Sequence, residues 1–237
     1  MKLISQNNNI SIYNSVFEYI DSNMYIMIEN NKALIIDPHQ NDEVYNLLRM
    51  NNIIDITVLL SHEHPDHISG LKWLKDNFNT TIISTKETSD YISDIKNTRP
   101  ILITFVLEEQ DKQNGTNLLE KFKQNYEPFA TKADITFEED FEYVWNSHSL
   151  RFKKVLGHSK GSCLIFLDDN IVFTGDSLMK DYPIITRFPR GNNKVYKSET
   201  IPYLETLDAN LEVFPGHGKI FKLKDIFSEG KLHVELK

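Results

Sequence analysis

The chain has one cysteine, Cys163. An intrachain disulfide and a cysteine-built zinc cage are therefore excluded. No stretch approaches the roughly 18 consecutive apolar residues that a membrane-spanning helix needs. The N-terminal segment Met1-Lys2-Leu3-Ile4-Ser5-Gln6-Asn7-Asn8-Asn9 lacks the apolar centre of a signal peptide, so a cytoplasmic protein with no membrane partner is expected. Positive charge is in deficit: 26 Lys and Arg face 34 Asp and Glu, a net charge of −8. That balance argues against broad nucleic-acid binding. Linkers rich in Gly, Ser or Pro, internal repeats and low-complexity tracts are also missing. The 237 residues are 40% hydrophobic and 25% charged, an ordinary globular composition with ample length for a core. One domain spanning residues 1–237 is expected, with an insertion or lid at about 96–135.

Short apolar runs separated by turn residues fill the first forty positions and read as strands: Ile10–Tyr13, Val16–Ile20, Met24–Glu29 and Ala33–Ile36. A helix is expected from about Asp42 to Asn51, with Val44, Leu47 and Leu48 on one face. A buried strand at 56–60, a helix running to about Asn77, a strand at Thr81–Ser84 and a helix at Lys86–Ile95 follow. Within the insertion, Leu118–Tyr126 reads as helix, and Ile101–Leu107 suits either a strand or a helix. Strands then return as two hairpins, one around Asn146-Ser147-His148-Ser149 and one around Asp168-Asp169-Asn170. A loop at 177–197, a helix near Glu199–Leu207 and a strand at Leu211–Phe214 complete the pattern. Two mixed sheets packed face to face with helices outside satisfy this order.

What the chain does have is histidine at strand ends. Ser61-His62-Glu63-His64-Pro65-Asp66-His67 directly follows the apolar run Ile56–Leu60. In a strand-like stretch, His62 and His64 project to one side, because side chains alternate. Asp66 and His67 follow the stiff Pro65 turn and face a second point, so the loop reads as two metal sites side by side. His158 follows Gly157, Asp176 follows Gly175, and His217 sits in Pro215-Gly216-His217-Gly218. Glycine there lets the backbone turn sharply, so that the next side chain points into a cleft. Five of the eight histidines fall at these positions.

This set, His62-x-His64-x-Asp66-His67, then Gly157-His158, Gly175-Asp176 and Pro215-Gly216-His217-Gly218, resembles the metallo-β-lactamase-fold hydrolase superfamily in its glyoxalase II-like branch. The resemblance covers roughly residues 15–220. It implies an α/β (α+β) fold, a four-layer αββα sandwich of two mixed β-sheets flanked by helices. It also implies two adjacent metals: one held by His62, His64 and His158, one by Asp66, His67 and His217, with Asp176 bridging. Asp37 would support the metal loop from behind; a turn cap explains it nearly as well. Imidazoles with two carboxylates suit two divalent ions, zinc first, with iron or manganese also admitted. A metal-bridging hydroxide would then attack an ester, thioester, lactone or phosphoester, with Asp66 as the catalytic residue that orients the nucleophile or carries its proton.

The loop at 177–197 concentrates Lys180, Arg187, Arg190, Lys194 and Lys197 in an acidic chain. Either it is a solvated loop, or Arg187 and Arg190 recognise the carboxylate or phosphate of a small anionic substrate. In the insertion, Phe122, Tyr126 and Phe129 either cover the site or pack the insertion onto the body. Gly157-His158-Ser159-Lys160-Gly161 also spells the serine-hydrolase elbow. That elbow needs a helix after its serine, and Ser162–Leu167 reads as a strand. His39, His148 and His233 read as polar loop residues. Two other functions stay open: a mononuclear iron persulfide dioxygenase-like oxidoreductase, and a non-catalytic metal-containing binding or sensor module.

Overall fold

Two large mixed β-sheets, a small two-stranded one and the helices between strands are seen in the computed structural model, which describes residues 1–6, 10–228 and 231–237. Contacts divide the chain into two compact units. One comprises residues 1–59, 64–82 and 89–134, the other residues 60–63, 83–88 and 135–237.

In the first unit, strands β1 (Lys2–Gln6), β2 (Ile10–Val16), β3 (Asn23–Glu29) and β4 (Lys32–Ile36) pair antiparallel in sequence order. Every residue of β3 is buried, as its central place in the sheet requires. Helix α1 (Asp42–Met50) crosses over to β5 (Asp55–Leu59), which runs parallel to β4. Its start is written in the sequence. The Asn41 side chain accepts from Val44 N–H at 3.1 Å, Asp42 and Glu43 occupy the first turn, and Val44, Leu47 and Leu48 are buried. Helices α2 (Pro65–Ile68) and α3 (Leu71–Asn77) lead to β6 (Asn79–Thr85). After it come α4 (Lys86–Ile92), α5 (Ile101–Asn114) and α6 (Leu118–Asn125).

The expected strand Val16–Ile20 does not form. β2 ends at Val16, and the chain turns: Phe17 N–H donates to Ser22 O at 2.8 Å and Asp21 takes a left-handed φ of 59°. Phe17 and Tyr19 are apolar for another reason, because both bury against Phe122 of α6. The ambiguous run at 101–107 is helical, as the start of α5, whose carboxyl end is closed by Gly115 at φ 65°. Phe122, Tyr126 and Phe129 are buried.

In the second unit the sheet order is β13-β12-β11-β10-β9-β8. The strands are β8 (Asp140–Trp145), β9 (His148–Lys154), β10 (Cys163–Leu167), β11 (Ile171–Gly175), β12 (Glu212–Pro215) and β13 (Phe221–Lys222). Neighbours are antiparallel except β11 and β12. The short β7 (Ile135–Phe137) instead pairs parallel with the end of β6, Ile83 opposite Ile135. Leu164, Phe166, Val172 and Val213 form the centre of this unit's core with Leu204 and Leu223. Trp145 pairs with His148, so the first hairpin turns on Asn146-Ser147 alone and His148 belongs to the strand. The second turns on Asp168-Asp169-Asn170, with φ of 47° and 56° at the two aspartates.

The helix expected at Glu199–Leu207 begins earlier, at Asn193, where Asn192 caps Val195 N–H at 3.1 Å. It widens into a π turn at Tyr196–Thr200 just before Pro202, which has no N–H to continue the ordinary ladder. Lys194 and Lys197 therefore stand on a helix rather than in a loop.

Candidate metal centre

In the second unit, four of the expected ligands converge from four places in the chain. Residues 60 and 61 are sewn to β6 and β10 by Leu60 N–H to Ile83 O at 3.1 Å and Cys163 N–H to Ser61 O at 2.8 Å, which sets the start of the His62 segment. His158 follows Gly157 at φ 121°, where an added Cβ would stand 2.3 Å from Tyr196 Cβ. Asp176 follows Gly175 at φ 47°, where a Cβ would meet Ser61 Oγ at 2.3 Å. No side chain fits either place, so glycine is required by both backbone and space. His217 follows β12, and Gly216 N–H donates to Gly175 O at 2.8 Å, which holds the ends of β11 and β12 together.

The resulting geometry is close. His62 Nε2 and His158 Nε2 are 3.3 Å apart. Asp176 Oδ2 lies 3.7 Å from His158 Nε2 and 3.5 Å from His217 Nε2. The ligand atoms of His62, His158 and Asp176 all fall within 4.8 Å of one another. The His158 tautomer follows from its neighbour. Nδ1 is 2.8 Å from the Ile185 carbonyl, which only accepts, so Nδ1 carries the proton and Nε2 the lone pair. That is the form in which imidazole binds a metal.

In the first unit, His64 caps α2 at φ −69°, ψ 146°, Pro65 opens the helix, and His67 N–H donates to His64 O at 3.0 Å. One turn of helix places Asp66 and His67 together, with Oδ2 and Nε2 3.0 Å apart. Asp37 Oδ2 lies 2.9 Å from His67 Nδ1, and both side chains are buried. The carboxylate accepts from Nδ1–H, which leaves the Nε2 lone pair on the side of Asp66. Ser22 Oγ donates to the Asp66 carbonyl at 3.3 Å and ties this helix to the turn before β3. Both donor sets, imidazole Nε2 with carboxylate oxygen, fit a divalent transition metal.

One residue that sequence reasoning passed over organises the second unit's loop. Glu63 is 1% exposed. Its carboxylate accepts from Arg190 Nε at 2.9 Å, Ser159 Oγ at 2.9 Å and Thr88 Oγ1 at 3.3 Å. Arg190, expected to meet a substrate anion, is half-buried and paired with this buried carboxylate, and its Nη2 reaches the Glu87 carbonyl at 3.4 Å. Arg187 is exposed. Ser159 Oγ also meets Ser162 Oγ at 2.8 Å, and β10 rather than a helix follows it. The signal was present: Glu63 alternates with His62 and His64 and so points away from them, toward the interior. Among the other histidines, His148 Nδ1 pairs with Asp168 Oδ2 at 2.5 Å. His39, read as a polar loop residue, is instead 1% exposed because it stacks on Phe17.

Residues 20–217 match the sequence model of the metallo-beta-lactamase superfamily. The chain belongs to that superfamily. Among curated relatives, it is 24% identical over 213 residues to a probable metallo-hydrolase of Streptococcus pyogenes, covering 88% of this chain and 84% of the relative. It is also 24% identical over 201 residues to the probable metallo-hydrolase YqgX of Bacillus subtilis, covering 84% and 86%. A hydroxyacylglutathione hydrolase of Pelagibacter ubique matches at 24% over 206 residues, 83% of this chain and 66% of the relative. Solved structures show the same fold. The BLEG-1 B3 metallo-beta-lactamase superposes with a TM-score of 0.68 at 18% identity, over 90% of this chain and 94% of that one. TTHA1623 in a di-iron-bound form gives 0.64 at 17%, over 90% and 95%. The two mixed sheets with helices are accordingly the metallo-β-lactamase fold. Among the described residues, no helix is long and apolar enough to cross a membrane.

Proposed function

We propose that this superfamily member is a glyoxalase II-like hydrolase. It would use two divalent metals, zinc first and iron or manganese next, to cleave an ester, thioester, lactone or phosphoester in a small anionic substrate. The observation that carries this reading is the Asp176 carboxylate oxygen standing between His158 Nε2 and His217 Nε2. His62, His64, His158, Asp66, His67, His217 and Asp176 would hold the metals. When bound, such metals supply an ionised water at neutral pH and polarise the oxygen of the scissile group.

The chain's own residues do the rest. Asp66 orients the attacking water or takes its proton. Asp37 and the Ile185 carbonyl hold the imidazoles of His67 and His158 in the ligating tautomer and raise their basicity. Arg187 presents its fork to the anionic end of the substrate. Arg190 acts through Glu63 to hold the segment on which Arg187 stands. The Tyr182 ring, 5.8 Å from that of His217, forms an apolar wall. Similarity to two probable metallo-hydrolases over most of both chains supports hydrolysis. A cytoplasmic location, without nucleic-acid or membrane partners, belongs to the same reading.

The test is a panel of esters, thioesters, lactones and phosphodiesters, with and without chelator, on metal-loaded protein. Turnover of at least one class, lost to chelator and restored by metal, is expected. Complete inactivity of loaded protein would point to a binding or sensor module, and oxygen uptake with a persulfide at one iron per chain to the dioxygenase.

A further inference from the structure

A cavity of about 380 Å³ lies in the first unit, and none of the seven candidate metal ligands is among the described residues that line it. Its walls are aromatic. Phe17 stacks on His39 with ring centroids 4.9 Å apart, Phe122 stacks on Tyr126 at 5.1 Å, and Tyr19 meets Phe122 edge-on at 5.3 Å. Such rings present flat, rigid faces to a planar guest.

Two buried polar atoms of this lining stand out. Ser15 Oγ engages His39 Nε2 at 3.1 Å, but the buried Nδ1 has no hydrogen-bond partner among the described residues. The buried Oγ of Ser69 has none among them either. Buried polar groups are ordinarily satisfied, so two unsatisfied ones lining one cavity call for a ligand that completes them. Burial holds the His39 pKa down to about 3, so the ring is neutral, and with Nε2 engaged by Ser15 it offers a single donor or acceptor.

The charge around the cavity has one dominant sign. Glu18, Asp42 and Glu43 line it and are exposed, three carboxylates against one N-terminal amine, which pairs with Glu43 at 2.7 Å and whose charge also reaches His39. An anion is disfavoured there. A cation gains from both the carboxylates and the ring faces.

We propose that this cavity is a second small-molecule site, separate from the metal ligands. It takes a planar aromatic or heteroaromatic compound with a hydrogen-bonding group for His39 and Ser69, and a neutral or cationic substituent toward Glu18 and Asp42. The site adjoins the ligand loop in the chain. Ser69 stands two residues beyond His67, and Gly70 N–H donates to Pro38 O at 2.8 Å, next to His39. This chemistry is opposite to that of the anionic substrate proposed for the metal centre, so the two sites discriminate different compounds.

The probes are benzamidine, phenol and benzoate, followed by calorimetry or ligand-observed NMR on the full chain with metal and after chelation. Benzamidine and phenol are expected to bind in both states, with benzoate at least fivefold weaker than benzamidine. The exposed double variant Glu18→Lys, Asp42→Lys should reverse the order of benzamidine and benzoate, and His39→Leu should weaken phenol at least fivefold. The rim variant keeps the test open if His39→Leu does not fold. Absence of benzamidine and phenol binding would overturn the proposal. So would equal binding of benzoate in the unaltered protein, insensitivity to the rim variant, or loss of binding on chelation alone.

Discussion

The two units provide the candidate metal-ligand side chains in opposite ways. In the first, Asp66 and His67 are neighbours on one turn of helix, and a single carboxylate, Asp37, backs them. In the second, His62, His158, Asp176 and His217 arrive from four separate segments. They meet only because β10, β11 and β12 are in register and because Gly157 and Gly175 leave no room for a side chain. The first arrangement is local and forms wherever the helix forms. The second is a product of the whole sheet. Local ligand pairs should therefore fail one contact at a time, whereas the sheet-built set should fail as a group.

The largest effect is expected at the shared point of the second set. Asp176→Ala removes the oxygen that stands 3.7 Å from His158 and 3.5 Å from His217. Metal-dependent turnover should vanish, a loss well beyond the about 10–100-fold that outer hydrogen-bond partners cost. Steady-state kinetics and metal content check this together, and unchanged values in both would reject the assignment. Asp37→Ala tests the local set and should weaken metal affinity by about 10–100-fold without altering the circular dichroism spectrum. An effect confined to stability would make Asp37 a turn cap only.

Next come the supports of the loop. Arg190→Ala leaves the Glu63 carboxylate buried without its cation and should lower unfolding stability by about 3 kcal/mol in urea. Glu63→Gln retains partners for Ser159 and Thr88 and should cost clearly less. Equal losses would mean that the charge of Glu63, rather than its hydrogen bonds, carries the contribution. The last effect is absent at neutral pH and belongs to the first unit alone. His39 has a folded pKa of about 3, against an unfolded value near 6.5. Between these values the unfolded chain binds the extra proton. Stability from this group is therefore intact above about pH 6.5 and lost as pH falls toward about 3. His39→Leu should flatten that part of the acid-unfolding profile.

Legibility followed the same division. The two-sheet fold could be read because strands such as Ile56–Leu60 and Cys163–Leu167 are short, apolar and bounded by turn residues. Gly157 and Gly175 could be read as sharp turns, and the structure gives both a positive φ. Tertiary pairings were not legible. Phe17 and Tyr19 look like the continuation of a strand until Phe122, far along the chain, is seen to bury them. His39 looks polar until Phe17 stacks on it. Arg190 gives no local sign of its ion pair with Glu63, 127 residues away in sequence. β1 escaped notice because most of its residues are exposed, so no alternation of burial marks it. In each case the deciding partner lies outside any window over which periodicity can be read.

The central claim is that these imidazoles and carboxylates hold two transition ions. The direct measurement is equilibrium dialysis of the gently purified full chain against zinc, followed by elemental analysis. Two equivalents of zinc per chain, falling to one or none in Asp176→Ala, are predicted. No bound ion at any zinc concentration that leaves the protein folded would contradict the account.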